Sequence, residues 1–260
     1  MHRARPKGRA AVTGGARQTE CARAPFAAFV GLALVLAALW TAPLAAPLRA
    51  AETRAQPAKA EAANLPRPGA YVLQRIQRAP EAQLLDAEGR ATQLSAYTRG
   101  AVTALAFFYA QCADPAGCPL AWSTFETVAR DANDDPLLKS RLRLVFASLD
   151  PEHDTPNVMR LLQSSENEAD RVPWAFVTSR SLSDLSPLIA QMGQDIAFEA
   201  DQTGRRSGAI NHMLKIFLID PDGWVREIYS AAFLTPENLL NDARTLAMEF
   251  PEANNAGAAR

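Results

Sequence analysis

The stretch VTALAFFYAQCADPAGCPLAW, residues 102–122, joins a continuous apolar run to a helical pattern through a short turn that carries two cysteines. Residues 102–109 are apolar without alternation, which is typical of a parallel strand buried on both faces. From about Pro119 the apolar residues recur at helical spacing. The stretch therefore predicts a strand, a turn and a helix, with Cys112 directly after the strand and Cys118 at the start of the helix.

The rest of the chain repeats this alternation of apolar strands and amphipathic helices. Besides the strand at 102–109, the predicted strands are a hairpin over Gln83–Leu94, then Leu142–Leu149, Trp174–Thr178, Leu214–Ile219 and Trp224–Tyr229. The predicted helices start at about Pro119, at Pro156 after an N-cap Thr155, at Leu182, and at Pro236 after an N-cap Thr235. In the helix after Thr155, the spacing predicts that Val158, Leu161 and Leu162 face inward.

This order of elements predicts an α/β fold, a thioredoxin-like sandwich with a mixed central sheet flanked by helices. We expect a single domain over residues 71–250, preceded by a flexible linker at 51–70 that is rich in Ala, Pro and charge, and followed by a loose tail at 251–260. No strand is followed by a glycine-rich phosphate loop, so the sequence gives no support to nucleotide binding.

Residues 1–50 have the layout of an export segment. Six basic residues precede an uncharged stretch from Ala24 to Leu48, and small residues follow it. The most apolar part, Phe26–Trp40, is short for a spanning helix, but the whole uncharged stretch would suffice. The pattern predicts either a cleaved signal or a retained inner-membrane anchor, with the domain in the periplasm in both cases.

Export also changes the charge of the protein. The whole chain has a formal net charge of −1, whereas removing residues 1–50 leaves 20 basic and 27 acidic residues, a formal charge of −7. Such an acidic domain would repel phosphate, so we do not expect nucleic acid as a partner.

Cys112 and Cys118 are the two cysteines that follow the export segment. A disulfide between them would close a very small loop and add little stability, so their spacing favours a redox or metal role over a structural disulfide. Because Cys118 starts a helix, unpaired backbone amides and the helix dipole are expected to favour its thiolate.

His212 lies just before the strand at 214–219, in a loop that such a fold can bring beside the cysteines. Two thiolates and one imidazole suit a soft ion such as Cu(I), which accepts three ligands, whereas Zn(II) normally takes a fourth. A lone histidine at a strand end is more often a packing or hydrogen-bonding residue, so the residues alone leave both roles open.

Four segments together resemble the SCO/SenC family: FFYAQC…GCP at 107–119, SLDPEHDTP at 148–156, NHMLKIFLIDPDG at 211–223, and the hairpin near Leu85. The resemblance implies a thioredoxin-like fold and a site of two cysteines and a distal histidine, here Cys112, Cys118 and His212. It further implies copper as the bound metal, Cu(I) and in some states Cu(II). The implied role is the assembly of the copper site of cytochrome c oxidase or of a related exported cuproprotein.

The chain departs from the family pattern at two places. Five residues separate its cysteines where the family usually has three, which changes the expected affinity and redox potential. Asn211 precedes the histidine where aspartate is common, which removes a carboxylate that could orient the imidazole.

Two other functions compete with copper delivery. In the first, Cys112 and Cys118 cycle as the redox pair of a thiol–disulfide oxidoreductase. The second, a peroxidase-like or sensor module, lacks a convincing reactive thiol with a supporting arginine. Asp150 and Asp154 are interpreted as turn and capping residues, and His153 is expected to face solvent.

Overall fold

The computed structural model describes residues 65–169 and 171–252. The predicted export segment at 1–50, most of the predicted linker at 51–70 and most of the predicted tail at 251–260 therefore lie outside the described residues. Within the described part, no helix combines the length and the apolar character needed to cross a membrane.

The core of the domain is a six-stranded mixed sheet. In chain order the strands of the described residues are β1 Gln77–Arg78, β2 Gln83–Leu85, β3 Ala91–Gln93, β4 Val102–Phe108, β5 Leu142–Ser148, β6 Trp174–Val177, β7 Ile196–Ala200, β8 Arg206–His212, β9 Lys215–Ile219 and β10 Trp224–Ser230. Two pairs of these strands, β2 with β3 and β7 with β8, form hairpins outside the six-stranded sheet. The order in the main sheet is β1-β10-β9-β4-β5-β6. Strands β4, β5 and β6 run parallel, whereas β9 is antiparallel to both β4 and β10.

Five helices complete the domain: α1 Ser95–Thr98, α2 Cys118–Asn133, α3 Pro156–Glu166, α4 Leu182–Gln191 and α5 Pro236–Glu249. The crossovers from β4 through α2 to β5 and from β5 through α3 to β6 explain why these strands are parallel. Every residue of β4, β5 and β6 is buried, as expected for strands covered on both faces. The predicted α/β sandwich with a mixed sheet is confirmed.

Most local predictions are also confirmed, including the hairpin of β2 and β3 and the end of α4 at Gly193, whose φ of 61° suits glycine. Thr235 caps α5, its hydroxyl accepting from the Asn238 amide at 3.1 Å. Thr155 is the N-cap residue of α3, but its side chain makes no capping hydrogen bond.

The inward face of α3 was predicted with one error. Leu161 is 70% exposed, and Met159 is the fully buried residue of this helix. Val158 and Leu162 pack against the core as predicted. Only one narrow stripe of the short helix touches the sheet, so the tertiary packing decides which leucine is covered.

The second hairpin, β7 and β8, has no counterpart among the predicted elements. Its strands pair antiparallel from Ile196 opposite His212 to Ala200 opposite Arg206, with an irregularity at Phe198. Ile210 is the residue of β8 that is buried. Neither strand contains a long continuous apolar run, because β7 is short and interrupted by Glu199, and β8 mixes polar and apolar residues.

Candidate functional site

The two cysteines lie at the corner where β4 ends and α2 begins. The amide of Cys112 donates to the Tyr109 carbonyl at 3.1 Å in the turn after β4, and the Gly117 amide donates to the Asp114 carbonyl at 2.9 Å just before α2. Cys112 is partly exposed and Cys118 is 5% exposed; both are free thiols. The five residues between them therefore fold into a compact loop that keeps the thiols close enough to interact.

The predicted thiolate character of Cys118 is wrong for the protein in this state. Burial raises the pKa of Cys118 strongly, and the neighbouring Cys112 thiol adds to that effect. Backbone amides of Tyr109 and of Cys118 itself act in the opposite direction, as the helix position predicted, but they are outweighed. Desolvation dominates because the Cys118 side chain packs into the core, although Cys118 is the first residue of its helix.

Asp154 fixes the first residue of the cysteine loop. Its buried carboxylate accepts from the Ala110 amide at 3.1 Å and from the Ser148 hydroxyl at 2.6 Å. Burial raises the pKa of Asp154, although both hydrogen bonds act against this. Its role is therefore wider than the predicted turn formation, because it ties the loop after β5 to the loop after β4. Asp150 instead pairs with the exposed His153 at 2.8 Å.

His212 lies shortly before β9, as predicted, but it ends strand β8 where the sequence predicted a loop. Its Nδ1 lies 3.2 Å from the Ile210 carbonyl oxygen, which can only accept a hydrogen bond. Nδ1 therefore carries the proton, and Nε2 keeps its lone pair. Nε2 is buried and has no hydrogen-bond partner among the described residues. Burial lowers the pKa of His212 below its usual 6.5, which favours the neutral ring.

Asn211 has no part in orienting this imidazole. Its side-chain amide donates to the Glu199 carboxylate at 3.0 Å, across the hairpin. The proton of the imidazole is held by the Ile210 backbone instead, so the carboxylate missing at position 211 is replaced by a carbonyl oxygen.

Two cavities flank the cysteine loop. One, of about 360 Å³, lies between the loop and β8 and is lined by both Cys112 and His212. The other, of about 210 Å³, is lined mainly by apolar residues and by both cysteines. Cys112 and Tyr109 are the residues that line both cavities. Cys112 therefore shares one cavity with His212 and the other with Cys118.

The three predicted site residues are only partly brought together. Within residues 65–169 and 171–252, no group of three or more His, Cys, Asp or Glu side chains is arranged closely enough to hold a metal ion. Cys112 and Cys118 line one cavity together, whereas His212 shares a cavity with Cys112 and none with Cys118.

Tyr109 is a neighbour of His212 that the sequence did not identify as part of the site. It is 7% exposed, its ring lies edge-on to His212 with centroids 6.1 Å apart, and its hydroxyl accepts from the Ile210 amide at 3.4 Å. Its place directly before the cysteine loop was the one available signal. Phe108 and Trp122, which line the apolar cavity beside the cysteines, pack with Phe146 at centroid distances of 5.0 and 5.2 Å and belong to the aromatic core.

This fold and site define a class of protein: a thioredoxin-like α/β domain with a dithiol at the strand–helix corner and a histidine on a neighbouring hairpin. The SCO1/SenC family model matches residues 74–248. The chain belongs to the SCO1/SenC family, as its motifs indicated.

Solved structures of low sequence identity share the fold. ScoI of Arabidopsis thaliana, determined with copper bound, is 14% identical, with a TM-score of 0.55 over 67% of this chain and 100% of its own. ScoI of Bradyrhizobium japonicum, also with copper bound, is 23% identical, with a TM-score of 0.52 over 65% of this chain and 99% of its own. BsSco is a member of the Sco family of cytochrome c oxidase assembly proteins in which a disulfide switch was identified. It is 19% identical to this chain, with a TM-score of 0.50 over 68% of this chain and 98% of its own. No curated protein matches this chain significantly.

Proposed function

We propose that this protein carries Cu(I) as cargo on Cys112, Cys118 and His212. It would deliver this copper to the copper-bearing subunit of cytochrome c oxidase or to another exported cuproprotein, or prepare that copper site. The observation that carries the proposal is the buried lone pair of His212 Nε2, which has no partner among the described residues and lies beside the cavity that His212 shares with Cys112.

The donor set supports copper by its chemistry. Two thiolates and one neutral imidazole are soft donors, and Cu(I) is stable with three ligands. An unpartnered buried nitrogen costs free energy until something binds it, which a soft cation beside Cys112 would do. Copper-bound ScoI structures of the same fold support the same metal. Loading would require His212 and the cysteine pair to approach, and binding would release the thiol protons.

The cellular setting belongs to the same proposal. Residues 1–50 would direct the domain at 71–250 into the periplasm, free or held on the inner membrane by an uncleaved anchor, with residues 51–70 as the linker. A reporter fused after Arg260 should be active outside the cytoplasm, whereas activity inside the cytoplasm would contradict export.

A second function, thiol–disulfide exchange, is favoured by one specific observation. Cys112 and Cys118 interact as free thiols, while the histidine stands apart from Cys118. In this reaction the partly exposed Cys112 sulfur attacks a disulfide of an exported partner. Cys118 then displaces the partner, so the partner gains two electrons and two protons as the Cys112–Cys118 disulfide forms. The disulfide switch of BsSco is consistent with this chemistry.

Cu(I) affinity measured against a chromogenic chelator separates the two functions. Under reducing conditions the full-length protein is compared with His212→Ala, Cys112→Ser and Cys118→Ser. Copper carriage predicts a loss of at least about tenfold for His212→Ala, since a changed ligand should cost no less than a changed ligand neighbour. Either serine variant should abolish tight binding and disulfide formation. Equal affinity in wild type and His212→Ala would exclude the histidine as a ligand and leave the oxidoreductase function.

A further inference from the structure

We infer that Tyr109 is the positioning residue for His212: it holds the imidazole beside the cysteine loop with Nε2 free to bind. This inference rests on the proposed function, because it concerns the loading of copper through His212. Neither the motifs nor the composition of the sequence assigns Tyr109 a chemical role in the site. It lies between the cysteine corner and the β7–β8 hairpin.

The first connection between Tyr109 and His212 consists of two hydrogen bonds to the backbone of Ile210. The Tyr109 hydroxyl accepts from the Ile210 amide at 3.4 Å, and the Ile210 carbonyl accepts from His212 Nδ1 at 3.2 Å. Ile210 is buried, so neither of its polar groups has ready access to water as a substitute. The hydroxyl thus helps to fix the residue whose carbonyl keeps the proton on Nδ1.

The second connection is direct packing between the two rings. The Tyr109 ring lies edge-on to the imidazole at a centroid distance of 6.1 Å and an interplanar angle of 65°. Tyr109 follows the fully buried strand β4 and is itself 7% exposed, so it offers a rigid surface. His212, by contrast, lies at the end of a mostly exposed hairpin. The rigid ring therefore limits the positions available to the more loosely held imidazole.

The hydrogen bond from Ile210 is long, so ring packing should contribute more than the hydroxyl. This gives a graded expectation for two substitutions. Tyr109→Phe removes the hydroxyl and keeps the ring, whereas Tyr109→Leu removes both. Neighbours that orient a metal-binding histidine are worth roughly 10–100-fold in affinity. We expect Cu(I) affinity to fall about tenfold in Tyr109→Leu, at the lower end of that range, and about threefold in Tyr109→Phe, below that range because the ring is kept.

The decisive experiment is a double-mutant cycle in the full-length protein. Cu(I) affinity is measured for wild type, Tyr109→Leu, His212→Ala and the double variant. Tyr109 and Cys112 line the same two cavities, so a second route through the cysteine has to be separated. If Tyr109 acts through His212, its replacement lowers affinity in the wild type and has no effect in the His212→Ala background. Equal losses in both backgrounds would overturn the inference, and so would no loss in either background when His212→Ala itself lowers the affinity.

Tyr229→Phe is the matched control. Tyr229 is 5% exposed, its hydroxyl donates to Asp242 at 2.6 Å, and it lines neither cavity of the site. This variant should lose stability without losing Cu(I) affinity. A fall in affinity equal to that of Tyr109→Phe would mean that loss of any buried hydroxyl weakens binding, and would overturn the specific role of Tyr109.

Nitrogen NMR of the metal-free protein keeps this inference separate from copper binding itself. The two imidazole nitrogens of His212 report which one carries the proton. Wild type should show the proton on Nδ1, and Tyr109→Leu should show a mixture of the two tautomers. An unchanged His212 spectrum in Tyr109→Leu would overturn the inference. If instead His212→Ala binds copper like wild type while the tautomer shift is observed, the proposed function fails and the positioning role of Tyr109 stands.

Discussion

The cysteine corner and the β7–β8 hairpin bring their functional residues to the site in different ways. The corner is built from β4, in which every residue is buried, and from α2, whose buried residues include Phe125 and Cys118. The hairpin stands outside the main sheet, and Ile210 is the buried residue of its second strand. The thiols are therefore attached to the core of the domain, whereas His212 lies at the edge of a small, exposed unit.

This difference separates the two chemistries of the site. Disulfide formation needs only the corner, where the thiols already interact. Copper binding through three donors needs the corner and the hairpin together, because His212 comes from the hairpin. Elements with little buried apolar surface open most readily, so the hairpin is the part expected to adjust when copper is loaded.

The largest expected effect on stability comes from a substitution in the hydrophobic core on which the cysteine corner is built. Phe125 is completely buried on α2 and packs on Phe146 at a centroid distance of 4.9 Å. Phe125→Ala should lower the free energy of unfolding by about 3–5 kcal/mol, because it removes a buried ring and leaves a cavity. Urea denaturation followed by tryptophan fluorescence measures the change.

Phe198→Ala on β7 is the matched substitution in the hairpin. Phe198 is partly buried, and the Arg206 guanidinium lies 4.1 Å from its ring centre. Because less surface is removed from water, the expected loss is about 1 kcal/mol. Equal losses of unfolding free energy in the two alanine variants would contradict the expected difference in packing between the core and the hairpin.

An intermediate effect is expected where the corner is tied to the loop after β5. Asp154→Ala would leave the Ala110 amide and the Ser148 hydroxyl without their acceptor. Leaving buried donors unpaired costs about 1–3 kcal/mol, and relief of the buried carboxylate offsets part of it. We expect a net loss of about 2 kcal/mol in thermal denaturation, and faster proteolysis of the loop at 110–117.

Asp150→Ala serves as the control for that prediction. Asp150 pairs with His153, whose side chain is 57% exposed, and such pairs contribute less than about 1 kcal/mol. If the Asp150 variant lost as much stability as the Asp154 variant, the buried carboxylate would have no special role in holding the corner.

The smallest effect belongs to the ion pair between the hairpin and the loop after β5. Arg206 and Glu152 approach to 3.9 Å, and both side chains are more than half exposed. Glu152→Gln should change stability by at most about 0.5 kcal/mol, since solvent and salt screen such a pair. Cu(I) affinity should likewise stay within about twofold of wild type, measured by chelator competition at low and high salt. A large, salt-dependent fall in affinity would show that this contact holds the hairpin in place.

The sequence by itself determined the buried framework of the domain. Predominantly apolar runs such as 102–109 and 142–149 identify strands covered on both faces, because burial is encoded locally in their composition. Capping residues placed the helix starts, and the motifs around Cys112, Cys118 and His212 led to the family.

Only the tertiary structure decided the state of the site. Strands β7 and β8 contain no long continuous apolar run, and their antiparallel pairing is visible only in the folded chain. Whether Leu161 or Met159 is buried depends on which face of α3 is turned toward the core, because residues two apart point to nearly opposite sides of a helix. The helix dipole predicted a Cys118 thiolate, but the burial of this side chain in the folded domain outweighs that effect. Tyr109 gains its contact with His212 in the same way, through a strand end and a hairpin a hundred residues apart that meet only in the folded chain.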